Sequence, residues 1–229
     1  MQLIKRLLPL IAATAFTSAQ GADLYWNAGD GSDASGTWDI GTTANWNTAS
    51  DGTGSASSFT DSDSVIFSAT SVANSGTITV SGAPTATDLT ILENGNYTFD
   101  GDLGLGTAAT YTVSSGATAT FNDIVTVNDN STFNIEGNST MNLNGRGKTI
   151  TKTGSGTLTL TDANSSDYAI NANEGLIVVA RTTTKQLKTV NIGASGTLQL
   201  STSDQLNPLT VDGTFIMDDG ISDSLGQLY

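Results

Sequence analysis

The side chains best placed to do chemistry in this sequence are carboxylates in close pairs: Asp61 with Asp63, Asp100 with Asp102, and Asp218 with Asp219. Glycoside hydrolysis needs two carboxyl groups roughly 5 to 10 Å apart. Each pair, however, sits among Gly, Ser and Asn, where Asp commonly accepts hydrogen bonds from its own turn. The chain has no Cys and no His. Ser-His and Cys-His nucleophile pairs, imidazole or thiolate zinc sites and redox dithiols are therefore excluded. A non-catalytic protein is expected, with no cofactor.

Two further sets of residues suggest binding. Trp26, Trp38 and Trp46 fall within a stretch rich in Asp and Gly, DLYWNAGDGSDASGTWDIGTTANWNTASDGTGSASSFT. They are expected to plug the end of a stack of strands, and alternatively to offer flat faces to sugar rings. Past the leader, the basic residues are Arg146, Lys148, Lys152, Arg181, Lys185 and Lys188, all inside a 43-residue window. They are expected to offset local acidic repulsion, and alternatively to form a strip that binds a polyanion such as an acidic polysaccharide. Asp30, Asp33, Asp61 and Asp63 lie in loops rich in Gly that could supply oxygen ligands to calcium, but their spacing fits neither an EF-hand loop nor the nonapeptide calcium-roll repeat. Asn96, Asn130, Asn138 and Asn164 head N-x-Ser/Thr triplets of the kind expected by chance in a Thr-rich chain. With 22 acidic and 8 basic residues the net charge is −14, which disfavours nucleic acid and anionic lipid surfaces.

The elements that must carry these residues are short strands. Residues 1–22 read as a signal peptide: Lys5 and Arg6, an apolar run from Leu7 to Phe16, then small residues. This predicts a secreted or cell-surface protein, with no segment of the mature chain apolar enough to span a membrane. Beyond residue 75 one pattern recurs, a turn residue followed by alternating apolar positions. It begins at Gly76, Gly95, Gly116, Asn138, Gly156, Gly175, Gly196 and Gly213, at intervals of 17 to 22 residues. Gly and Asn suit corners with positive φ. A second apolar run precedes each new corner, as in DLTIL from Asp88, TYTV from Thr110 and TFNI from Thr132. Two short strands per ~20 residues match the rung of a β-solenoid, in which each rung pairs with the next at roughly 4.8 Å. The expected fold is all-β: a parallel β-helix of about eight rungs over 76–229, preceded by a Trp-containing cap over 23–75. The alternative is an antiparallel β-sandwich.

The stretch from Ile150 to Val179, ITKTGSGTLTLTDANSSDYAINANEGLIVV, resembles the autotransporter-associated β-strand repeat, also called the passenger-associated transport repeat. The matching positions are Lys152, Gly154, Gly156, Thr157, Leu158, Leu160, Ala163, Asn164, Tyr168, Glu174, Gly175 and Val178. The opening YWN, TWD and NW, followed by DSVIF, is similar to the region that precedes such repeats. The chain departs from the pattern at Asp162 and in the Ser and Asp that follow Asn164, where Gly is usual. The resemblance implies a right-handed parallel β-helix in an exported passenger, with a structural or adhesin-like role at the cell surface and no catalytic residues. A carbohydrate-binding module is the alternative, and a polysaccharide-active enzyme ranks behind it. The expected partners are an extracellular polysaccharide or a cell-envelope protein, with end-to-end self-association at open rung edges.

Overall fold

The alternating apolar pattern becomes a three-sided coil of parallel strands, with every second side chain turned inward. The computed structural model describes residues 21–28, 33–68, 74–161, 168–181, 186–203, 205–206, 208–222 and 224–225. Residues 1–20 of the signal segment, Asp30, Asn164 and Lys185 lie outside them. Among the described residues every element is a strand.

The first face stacks Asp23–Trp26, Ser64–Phe67, Leu89–Ile91, Thr110–Val113, Ser131–Ile135, Thr149–Thr153, the start of Ala169–Val179, the start of Thr189–Leu200, and Leu209–Val211. The second face stacks Gly36–Trp38, Ser75–Val80, Asn96–Asp100, the start of Thr118–Val127, the start of Asn138–Asn144, Thr157–Leu160, the end of Ala169–Val179, the end of Thr189–Leu200, and Thr214–Met217. A third face has Thr85–Ala86, Leu103–Leu105 and the ends of Thr118–Val127 and Asn138–Asn144 at one end of the coil. At the other end it has Gln186–Leu187, Gln205–Leu206 and Ser224–Leu225. All of these pairings are parallel, so the sandwich alternative is excluded. From Ser64 to Leu209 the coil makes seven turns, each partner lying 19 to 24 residues from the last.

The stack reaches further toward the N-terminus than Gly76, since Asp23–Trp26 and Gly36–Trp38 already pair in parallel with the next turn. What distinguishes the cap is Trp46–Asn47, antiparallel to both Tyr25–Trp26 and Ala56–Ser57. This turns the chain across the end of the coil. Trp26, Trp38 and Trp46 are 0%, 0% and 1% exposed. Trp46 lies edge-on to Trp26 at 4.9 Å and to Trp38 at 5.4 Å, and Phe67 is 5.5 Å from Trp46. The Trp26 indole N–H donates to the Ala34 carbonyl at 2.7 Å. The indole nitrogens of Trp38 and Trp46 have no hydrogen-bond partner among the described residues, and an edge-on ring neighbour is the weaker substitute available to them. From this plug the aromatic contacts continue inward through Phe67, Phe99, Phe121, Tyr111 and Phe133.

The corner glycines have a different cause from the one their composition suggests. Of the eight repeat starts only Gly116 and Gly175 have positive φ. In the observed register the corner column runs Gly95, Ala117, Gly137, Gly156, Gly175, Gly196, Gly213, so the repeat frame read from Gly116 and Asn138 is one residue out of step and that read from Gly76 is two. A Cβ at Gly156 would lie 1.9 Å from the Gly137 carbonyl oxygen, and one at Gly196 would lie 1.8 Å from that of Ala172. Glycine is required where one rung's backbone closes onto the carbonyls of the rung before it.

Candidate functional site

The apolar positions point inward, so any site must be built from outward side chains and corner loops. On the third face the outward column reads Thr85, Gly104, Thr126, Asn144. Gly104 contributes no side chain, and a Cβ there would lie 2.6 Å from Thr85 Oγ1. The column is therefore dented between two threonines. Ala83, Asp102, Leu103, Asn128 and Arg146 complete a cleft of about 270 Å³ around the dent.

Two of its walls are turns in strained conformations. Arg146, flanked by Gly145 and Gly147, has φ 44°, and the turn is closed by the Lys148 N–H donating to the Gly145 carbonyl at 2.8 Å. Ala83 has φ 50°, next to Gly82. Non-glycine residues avoid this left-handed region unless the surroundings hold them there. Asp102 Oδ1 accepts the Ile124 N–H at 3.1 Å, and among the described residues no hydrogen bond engages its Oδ2. Among the described residues no carboxylate pairs with the exposed Arg146, whereas its neighbour Lys148 lies 4.0 Å from Asp129.

Five of the six carboxylates in the pairs weighed as hydrolase candidates are engaged in hydrogen bonds within the coil, with backbone N–H groups or with side-chain amides and hydroxyls. Asp63 accepts the Ala22 N–H on Oδ1, and the Thr60 N–H and hydroxyl on Oδ2. Asp61 accepts the Thr85 N–H from the next turn. Asp100 accepts from the Asn122 amide, and Asp218 from Gln199. The same bracket between neighbouring rungs recurs with Asp88 to Thr110, Asp123 to Gly101, Glu136 to Ser155 and Glu174 to Gly154. Asp33 accepts the N–H and hydroxyl of Ser35. Among the described residues no three acidic side chains gather to hold a metal ion.

The polyanion strip is not assembled. Lys152 is fully buried, occupying an inward position of the first face between Phe133 and Ala172 in the register. Its ammonium donates to the carbonyls of Gly154 at 2.6 Å, Glu174 at 3.0 Å, Thr153 at 3.1 Å and Ile135 at 3.4 Å. Burial pushes the amine down to about 8, against the pull of Glu136 and Glu174. Arg181 is also buried, donating to the Tyr168 hydroxyl at 2.6 Å with its guanidinium 5.2 Å from that ring's centre. Arg146, Lys148 and Lys188 remain accessible. The stacking role for the tryptophans fails for a related reason: all three indoles are enclosed in the plug, so none presents a face to a sugar.

The cleft itself was not read from the sequence. Its signals there are GRG at residues 145–147 and Gly104 within DLGLG at residues 102–106, and neither is distinctive in a chain with 25 glycines. In comparisons with known proteins, the chain matches no family model, no curated protein and no solved structure.

Proposed function

We propose that this protein is an exported, non-catalytic rod of the autotransporter-repeat kind, whose work at the cell surface is to present a stiff, acidic, hydroxyl-rich face. The observation that carries this reading is the use of its carboxylates. Asp61, Asp63, Asp88, Asp123, Glu136 and Glu174 are spent as acceptors for backbone N–H groups, each on a neighbouring turn of the coil. A carboxylate occupied in this way is held in place by the coil and is poorly suited to move a proton. Among the described residues no helix is long and apolar enough to cross a membrane. The outward rows of Thr and Asn, such as Thr77, Thr98, Thr120, Thr140 and Thr159, wet the rod without charge.

The test is to express the full chain with a C-terminal tag in a Gram-negative host, fractionate the cells and map the N-terminus. Recovery outside the cytoplasm with cleavage between Ala19 and Ala22, and no sugar released from a polysaccharide panel, is the expected result. Retention of the intact leader in the cytoplasm refutes export, and released sugar refutes the non-catalytic reading. A second reading, a carbohydrate-binding module, is favoured by one observation, the cleft at Arg146 and Asp102, and not by the tryptophans.

A further inference from the structure

We infer that the cleft between Thr85, Gly104 and Thr126 is a binding site for one uronic acid residue of an acidic polysaccharide, with the Arg146 guanidinium taking the sugar carboxylate. The inference rests on the second reading above and names its ligand class; the rod reading stands without it.

Three independent features converge on this cleft. The first is an uncompensated cation. Acidic residues outnumber basic ones 22 to 8, yet Arg146 reaches into the cleft with no carboxylate partner among the described residues, while Lys148 has Asp129. A planar guanidinium with two parallel N–H donors matches a carboxylate better than it matches any single acceptor. The second is backbone strain. Of the six non-glycine residues with positive φ among the described residues, two line this cleft, Arg146 at 44° and Ala83 at 50°. A glycine would relax the Arg146 turn at no steric cost, as Gly147 does beside it, so the arginine is kept there against a conformational penalty. The third is the dent itself. Gly104 interrupts a column whose other members carry hydroxyls and an amide, leaving Thr85, Thr126 and Asn128 around a space of about 270 Å³.

The rest of the lining selects a sugar. Thr85 and Thr126 each present a hydroxyl that both donates and accepts, Asn128 presents an amide, and Asp102 keeps one carboxylate oxygen open. Thr85 and Thr126 stand two strand spacings apart, roughly 9.6 Å, with the bare Gly104 strand between them, a gap wide enough to admit a pyranose ring. Among the described residues no aromatic side chain lines the cleft, so recognition is by hydrogen bonds and the one ion pair. The cleft is open, as a site reading one unit of a long chain must be.

Calorimetric titration of the full chain with trigalacturonate, and separately with the neutral trisaccharide galactotriose, tests the assignment, alongside the variants Arg146→Gly and Asp102→Asn. The expected result is saturable binding of trigalacturonate at least tenfold tighter than of galactotriose. Arg146→Gly should lose that binding by at least tenfold while its Tm rises by about 2 °C, because the strained φ is relieved. Asp102→Asn should weaken binding several-fold. A turn kept for structure alone would give the opposite split, a lower Tm on Arg146→Gly and unchanged affinity, and would overturn the assignment. Equal binding of galactotriose would retain a carbohydrate-binding module but overturn the uronate assignment. No heat from either sugar at millimolar concentration would overturn both and leave the rod reading intact.

Discussion

Lys152 is the residue where the coil's geometry and its chemistry meet. Its stem fills a slot in an apolar column and its ammonium is held by four carbonyls, two of them at the Gly154 and Glu174 corners. Those carbonyls replace part of the lost water, yet burial dominates and lowers the amine from 10.5 to about 8. A lysine whose folded pKa lies below its unfolded one adds stability that is fully present above the unfolded value and is lost as pH falls through the folded value. Stability should therefore rise between pH 8 and 10. Above pH 10 the trend reverses, since burial raises Tyr97 and Tyr111 and only the unfolded chain then ionises them. Thermal melts of wild type and Lys152→Met across pH 7 to 10 check this: the wild type should gain Tm and the variant should stay flat. Glycine substitutions separate two kinds of corner. Gly196→Ala drives a Cβ into the Ala172 carbonyl and should cost about 3 kcal/mol or more, a severe overpacking. Gly116→Ala, with φ 74° and only Asn94 at 3.5 Å, should cost about 1 kcal/mol. Urea denaturation of the two variants measures the difference, and equal losses would mean that close backbone approach is not what the corners require.

At the scale of the rung, parallel strands alone would leave corner N–H groups open to water, and the acidic side chains close them. The Glu136 carboxylate takes the Ser155 N–H and hydroxyl, and those two bonds hold its carboxyl below the ordinary value. A carboxylate with a depressed folded pKa contributes stability above its unfolded pKa that disappears as pH falls. Acid should therefore loosen the Glu136 bracket below about pH 4.5. Glu136→Gln should melt lower than wild type at neutral pH and converge with it in acid. Parallel melts from pH 7 to pH 3 test this, and a constant gap would show that the bracket does not titrate. The rung was largely legible in the sequence because alternation is local: TYTV at Thr110 and TFNI at Thr132 place Tyr111, Val113, Phe133 and Ile135 inside, as observed. Register was less legible, since a one-residue shift at Gly116 or Asn138 leaves the same composition at the corner. The fate of the basic residues was not legible at all. Whether Lys152 faces out, as Thr151 and Thr153 beside it do, or in, as it does, depends on a carbonyl cage assembled from residues 135, 153, 154 and 174. The Arg146 cleft was hidden for the same reason, because Thr85, Gly104 and Thr126 meet only across three turns.

Over the whole molecule the coil behaves as a one-dimensional stack, in which each rung touches only its neighbours and stability is close to a sum of rung and interface contributions. Its two ends are unequal. The N-terminal end is sealed by Trp26, Trp38 and Trp46 with Phe59 and Phe67. At the other end Thr214–Met217 leaves Ile216 40% and Met217 38% exposed. Amides of Thr214–Met217 should therefore exchange fastest, and protection should climb toward the aromatic rungs at Asn96–Asp100 and Thr110–Val113. Trp46→Ala removes the side chain that bridges Trp26, Trp38 and Phe67, a loss of about 3 to 5 kcal/mol by the usual cost of deleting a buried aromatic. If the stack is locally coupled, that loss stays near the plug. Native-state hydrogen exchange on the variant should accelerate in Ser64–Phe67 and Ser75–Val80 while Ala169–Val179 keeps its protection. Uniform acceleration along the chain would mean instead that the seven turns open as one cooperative body, with the plug governing the stability of all of them.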